Sequence, residues 1–335
     1  MDRRKILILA KRRYWYTNKI RNPRGEGGTV GVIGSGGALP MNMVVEQAMS
    51  GVATSFLGTG TAPNGKPCFF IGLSGTLSGA NALIIRMEGA TYATASAGQA
   101  WGLDFDSYLS GGTASGLASV KAQIRDSATI VVAESSEGGL SGAPTRLLAK
   151  GVVYGSATSV YPRLVVNSLN NGAAVNAVLC ISAPKLVQIA AIEGAEKIAG
   201  ASWTTPAGWS ESGGVLTATS PATFATYPAM GLNDQIVKIS YRVVTRTAGA
   251  VRGVAYGSSK FGLQAPVSSV GIFTQYVPVT SDGGSNPNTF AMQSLTTDFI
   301  GTVDQISLKV ITAGYMPAFP ILPPVGVPGD SSALL

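Results

Sequence analysis

The sequence predicts an all-β protein: two tandem antiparallel jelly-roll-like sandwiches, with a basic N-terminal arm and a Pro-rich extended C-terminal tail. Three observations carry this. Gly supplies 43 of 335 residues, roughly twice the usual share of about 7%. Charged residues are 12% while apolar ones are 45%, which excludes a disordered chain and leaves Ser, Thr and Ala to fill the remainder. Apolar stretches of strand length recur from residue 52 to residue 311, separated by Gly, Asn, Ser or Pro clusters that read as turns.

In chain order, residues 1–24 form the arm. Nine of the 24 Lys and Arg and one of the 17 Asp and Glu fall there, a net +8, leaving 15 cations against 16 anions in the rest, a net −1. The overall +7 thus describes a basic arm on a neutral body and says nothing about a basic groove on the fold. Within it, Arg12, Arg13, Tyr14, Trp15 and Tyr16 combine charge with residue types that dominate protein interfaces, so they are the candidates for anchoring to a partner. Nucleic acid is a weaker reading of so short an arm, and no stretch reaches the roughly 20 apolar residues of a membrane span. The apolar run 6–10 is too short for an export signal, and basic residues follow at once.

The first sandwich is expected over 25–190. Its Gly-rich opening, Gly25-Glu-Gly-Gly28 and Gly34-Ser-Gly-Gly37, lacks the Gly-Lys-Ser/Thr of a phosphate loop and reads as turns. Strands are predicted at 52–57, 68–73, 83–87, 102–109, 120–125, 129–134, 163–168 and 175–182. Leu164, Val166 and Ser168 alternate with Val165 and Asn167, the period of a half-buried strand. A single short helical-looking piece covers 46–52.

A polar, turn-rich connection near 193–199 leads to the second sandwich, expected over 191–312. Its strands are predicted at 214–219, 236–245, 251–256, 271–277, 288–293 and 302–311. In 236–244, Val237, Ile239, Tyr241 and Val243 alternate with Lys238, Ser240 and Arg242. Five prolines follow Gly314, so residues 313–335 read as a polyproline-like tail that cannot pair centrally in a sheet.

Several function classes are disfavoured by composition. The sequence has no histidine, which removes the commonest general base and metal ligand. No spacing singles out a Ser–Lys pair or the two facing carboxylates of a glycoside hydrolase, so a non-enzymatic protein without a cofactor is expected. Glu88, Asp104 and Asp106 are weak candidates for a structural Ca²⁺, against the plainer reading of solvated acids. Cys68 and Cys180 are expected to be buried thiols. Trp101 reads as core. Trp209 and Tyr227, beside turn-rich polar sequence, are the candidate platform for stacking on a sugar ring.

Two sets of phrases resemble known proteins. Asn22-Pro-Arg-Gly-Glu-Gly with Gly31-Val-Ile-Gly-Ser-Gly-Gly-Ala-Leu-Pro40, Ala97-Gly-Gln-Ala-Trp101 and Pro320-Ile-Leu-Pro-Pro-Val-Gly326 are similar to a module of tail-fibre and spike proteins of alphaproteobacterial phages and phage-like particles. The module's usual Thr-Asn-Trp is Met41-Asn42-Met43 here. Trp203, Gly208-Trp209 and Gly213-Gly-Val-Leu-Thr-Ala-Thr219 resemble carbohydrate-binding jelly rolls. The resemblance implies a virion appendage assembled in the host cytoplasm, a spike or fibre. It would be held to other virion proteins by its arm, associated with copies of itself, and able to contact host-surface polysaccharide. The alternative it leaves is a head or collar decoration protein touching only particle subunits.

Overall fold

The computed structural model describes residues 18–316, apart from 80, 170–171, 199–201, 220–223, 229, 285–287 and 296–298. Strands and turns make up this body; no helix occurs among the described residues.

The first half contributes β1 (Gly31–Ile33), β2 (Gly36–Gly37), β3 (Val44–Gln47), β4 (Val52–Thr61), β5 (Pro67–Thr76), β6 (Ala82–Arg86) and β7 (Ala93–Thr94). It continues with β8 (Ala100–Thr113), β9 (Leu117–Asp126), β10 (Val131–Glu134), β11 (Thr145–Val152), β12 (Ser159–Ser168) and β13 (Ala174–Ile189). One sheet runs β11-β8-β13-β5-β4-β1-β2, and the other β10-β9-β12-β6-β3 with β7 beside β12. The second half has β14 (Ala191–Glu196), β15 (Trp209–Ser212), β16 (Val215–Ala218), β17 (Phe224–Tyr227), β18 (Ile236–Ala248) and β19 (Val251–Tyr256). Then come β20 (Lys260–Leu263), β21 (Gly271–Pro278), β22 (Ser281–Asp282), β23 (Phe290–Ser294) and β24 (Ile300–Ala313). Its sheets run β15-β16-β24-β18-β21, with β14 also on β24, and β17-β23-β19-β20-β22.

The two halves repeat one topology. Take β5, β6, β8, β9, β10, β11, β12 and β13 as eight successive strands; one sheet then holds them in the order first-eighth-third-sixth and the other second-seventh-fourth-fifth. The strands β16, β17, β18, β19, β20, β21, β23 and β24 give the same two orders. This is the double Greek key of a jelly roll.

Alternation fills each core. In β18, Val237, Ile239, Tyr241 and Val243 are buried and face inward, while Lys238, Ser240 and Arg242 face out. In β8, Trp101, Leu103 and Phe105 enter the first core. The outward residues Ala100, Gly102, Asp104, Asp106 and Tyr108 are buried as well. Part of the cover is the β4–β5 loop, whose Ala62 packs with Tyr108, Cys68, Cys180 and Phe70. Met316 covers Gly102, and at the Ala100 end Ile311, Ile236 and Tyr276 of the second jelly roll pack with Ala100, Val152, Val187 and Ile189. Cys68 and Cys180 are free and fully buried, and burial raises the Cys180 thiol above its usual range.

Several expectations are corrected. Residues 44–47 form β3 against β6, so the helical piece at 46–52 does not form. Gly51 turns the chain at φ +78° so close to Thr76 that a Cβ would lie 2.1 Å from its carbonyl oxygen. The connection near 193–199 begins as β14, paired with β24. The Gly-rich opening supplies β1 and β2 as well as turns. β12 is buried on both faces along most of its length, Val165 lying outward between Ile84 and Lys121.

The arm's boundary also moves. Ile20 is fully buried in the first core. Asn18 donates to the Pro184 carbonyl and accepts from the Ile20 and Leu186 amides, and the Lys19 amide donates to Leu186 O at 2.7 Å. Residues 18–21 therefore belong to the first jelly roll. The anchoring candidates Arg12, Arg13, Tyr14, Trp15 and Tyr16 lie outside the described residues, as does the tail from 317 onward. Its first residues dock: Met316 is buried beside Gly102 and Gly314 N donates to Ala190 O at 2.8 Å.

Candidate functional site

The Ca²⁺ candidates Glu88, Asp104 and Asp106 are all buried, and each is taken up by cations. Glu88 accepts from the Arg21 backbone amide (2.8 Å), from its guanidinium (2.7 Å at Nη2) and from Gly89 N. Arg21 also lies 4.1 Å from the Tyr92 ring centroid. Asp104 binds Arg146 through two parallel bonds of 2.9 Å and Lys185 at 2.9 Å. Asp106 meets Lys66 Nζ at 2.5 Å and Asn64 Nδ2 at 2.8 Å. No metal-ligating cluster occurs among the described residues, so these acids are corrected from metal or solvated groups to buried ion pairs. The physical reason is that a buried carboxylate requires partners of its own.

Asp104 gives a pH prediction. Burial pushes its carboxyl upward, but bonds from Arg146 and Lys185 outweigh that, and the folded value lies below the usual one. A depressed value means its stabilisation is present above the unfolded pKa of about 3.9 and is lost as pH falls through the folded value. Asp104→Asn should cost about 2–4 kcal/mol at neutral pH. That is less than a fully enclosed pair would lose, because the Arg146 side chain is 43% exposed. The gap between wild type and variant in urea melts should close below about pH 4.

The two candidate sugar-stacking residues separate. Trp209 is 6% exposed and lies against the Phe299 ring, centroids 6.3 Å apart and planes inclined by 25°. It is a core residue, so its assignment as a platform is corrected: β15 turns it inward, where burying an indole gains more than exposing it. Tyr227, also buried, lines a cleft at the rim of the second jelly roll.

That cleft, of about 510 Å³, is bounded by Trp203 and Tyr227 on one side, by the β15–β16 hairpin at Glu211 to Val215, and by Asp304, Gln305 and Ile306 of β24, with Ile198 at its edge. Trp203 is half-buried. Reciprocal bonds between Thr204 and Thr226 fix its backbone. Its ring stands edge-on to Tyr227 (5.4 Å) and Phe290 (6.0 Å), so its pose is preset.

The opposite wall is set by backbone geometry. Gly213 and Gly214 make a two-residue hairpin with φ +58° and +81°, the double-positive turn that suits strand twist and glycine. Glu211 Oε1 accepts from Gly214 N at 2.9 Å. In β24 an extra residue opposite Tyr241 makes a bulge, and Gln305 sits there at φ +50°, exposed. A non-glycine residue held in the left-handed region marks a position that its surroundings dictate. Asp304 is bonded by Arg242 Nε at 2.8 Å and Nη2 at 2.5 Å, which holds its carboxyl below the usual range.

The cleft thus offers a fixed aromatic edge, apolar walls and acceptor groups. Sequence alone ranks Trp209 above Trp203 as a platform, and the structure inverts that order. The hint in the sequence is the polar neighbour on each side of Trp203, but only the Thr204–Thr226 bridge places it at the rim.

No family model matches the chain, and the search of curated proteins returns no match. Among the solved structures that overlap it are two with low identity. One is the N-terminal CBM22-1–CBM22-2 tandem domain of Xyn10C from Paenibacillus barcinonensis, at 11% identity and a TM-score of 0.31, covering 89% of this chain and 97% of that one. The other is the arabinose-bound MgGH51 α-L-arabinofuranosidase, at 9% identity and a TM-score of 0.36, covering 52% of this chain. This chain spans 26% of the arabinofuranosidase's length. The strand orders above define the fold without these loose overlaps.

Proposed function

We propose that the second jelly roll binds saccharide in the Trp203 cleft, and that the chain is a non-enzymatic appendage of a phage-like particle. Its N-terminal segment would join it to other virion proteins. The observation that carries the saccharide reading is the joining of a preset, half-buried Trp to polar groups in one open cleft. A flat aromatic takes the apolar face of a pyranose while neighbouring polar groups take its hydroxyls.

Chemistry within the cleft favours holding over cleaving. Glycoside hydrolysis needs one carboxyl kept protonated to act as acid, and Arg242 does the opposite to Asp304. The particle reading draws on the phage-module phrases at 22–40 and 97–101 and on the concentration of positive charge in the first 24 residues. Among the described residues no helix is long and apolar enough to cross a membrane.

A single shallow site of this kind should bind at millimolar to high-micromolar strength, about −4 to −6 kcal/mol. Copies on one particle would then raise apparent affinity by roughly 10²–10⁴. A glycan array followed by titration calorimetry tests it. Trp203→Ala should weaken the best ligand at least tenfold or so. Gln305→Gly removes a contact while relieving the positive φ, so it should lower affinity without lowering the melting temperature. Binding unchanged by both substitutions would place any saccharide site elsewhere.

A further inference from the structure

We infer that this cleft takes uncharged saccharides and turns away acidic ones, an inference that rests on the saccharide reading above. Among the described residues its ionisable lining consists of Glu211, Asp304 and Tyr227, with no Lys or Arg. The cation bonded to that lining, Arg242, spends its guanidinium on both oxygens of Asp304, leaving that pair electrically neutral. Glu211 is bonded to the Gly214 amide, a dipole and not a charge, so the wall keeps one negative charge. Trp203, Ile198, Val215 and Ile306 bound the same space, but Glu211 itself is exposed, so its charge acts most strongly at low ionic strength.

The hydrogen-bonding chemistry points the same way. An ionised carboxylate only accepts, so Glu211 pairs with ligand hydroxyls, and Gln305 supplies an amide that both donates and accepts. A uronic acid or sulfated sugar would bring a like charge and more acceptors to a wall whose charged group only accepts. The chain's excess positive charge lies in its first 24 residues. Acidic polymers attracted to that segment would bind without using Trp203, which gives a way to tell the two apart.

The test is calorimetry of the full chain with neutral hexasaccharides (gluco-, xylo- and manno-configured) and with hexagalacturonate, at low and at near-physiological salt. Wild type, Trp203→Ala and Glu211→Gln are compared. The expected result is Trp203-dependent binding of a neutral sugar, with hexagalacturonate about fivefold weaker at this site at low salt. The difference should shrink in Glu211→Gln and as salt rises. Hexagalacturonate binding as tightly as the neutral sugars, and lost in Trp203→Ala, would overturn the charge selection and leave the saccharide reading standing. If neither class binds in a Trp203-dependent way, both fall.

Discussion

Deleting residues 1–21 should unfold the first jelly roll. Three losses coincide there. Ile20 leaves a cavity in a core where it is fully buried, and shortening such a residue to Ala alone costs about 2–5 kcal/mol. Glu88, whose side chain is 1% exposed, loses the Arg21 amide and guanidinium together. Stranding one member of a buried pair costs about 3–5 kcal/mol. Asn18 takes with it three hydrogen bonds, two of them to the 184–186 stretch, each worth about 1 kcal/mol net. These figures do not add strictly, but together they rival the roughly 5–15 kcal/mol that holds a typical domain folded. Differential scanning calorimetry should show the first module's transition lost, or the truncated protein insoluble. Ile20→Ala in the full chain should lower that transition by the cavity cost alone. A truncated protein melting like the full chain would refute the role given to residues 18–21. An assembly defect in such a truncation would report unfolding as well as any lost anchor, so anchoring is better tested by substituting Arg12 to Tyr16.

Trp209→Ala should destabilise the second jelly roll by about 3–5 kcal/mol, the usual cost of deleting a core aromatic. The ring packs against Phe299 within the cluster that includes Leu216, Tyr241 and Val303. It does not line the Trp203 cleft. Its effect on any saccharide binding should therefore follow the fraction unfolded, and Trp209→Phe should recover most of both. Chemical denaturation of the two variants checks this. A Trp209→Ala protein that melts normally yet no longer binds saccharide would reverse the assignments of Trp203 and Trp209.

The fold class is legible because alternation along β18 and its neighbours is strong, and a period of two arises where successive side chains point to opposite faces of a sheet. Edge strands such as β3, β11 and β14 escape detection. Their side chains are half polar, and pairing with a neighbour, which local pattern does not reveal, makes them strands. The buried acids escape for a related reason: Asp104 and Asp106 lie on the outward face of β8, and sequence does not show that a loop and a second module cover that face. The cleft is half legible. Its aromatic residues are visible in sequence, but their rank is inverted, because Trp209 and Trp203 have similar local sequence and differ only in which way the backbone turns them.

The junction of the two jelly rolls also has a mechanical side. Residues 18 and 19 are fastened to Pro184 and Leu186 near the end of β13. Gly314 is fastened to Ala190 just beyond it, and the strands entering and leaving the second jelly roll pair at Ala191 with Ala313. A pull between residues 18 and 316 would thus travel mainly along Leu186 to Ala190, about 13 Å of extended chain, with Lys150 sharing the load at Gly314, and would spare the second core. The second jelly roll hangs beside this line of tension like a pendant. Its cleft would keep its shape under loads that strain the tethers, until the fastenings at Leu186 or Ala190 gave way.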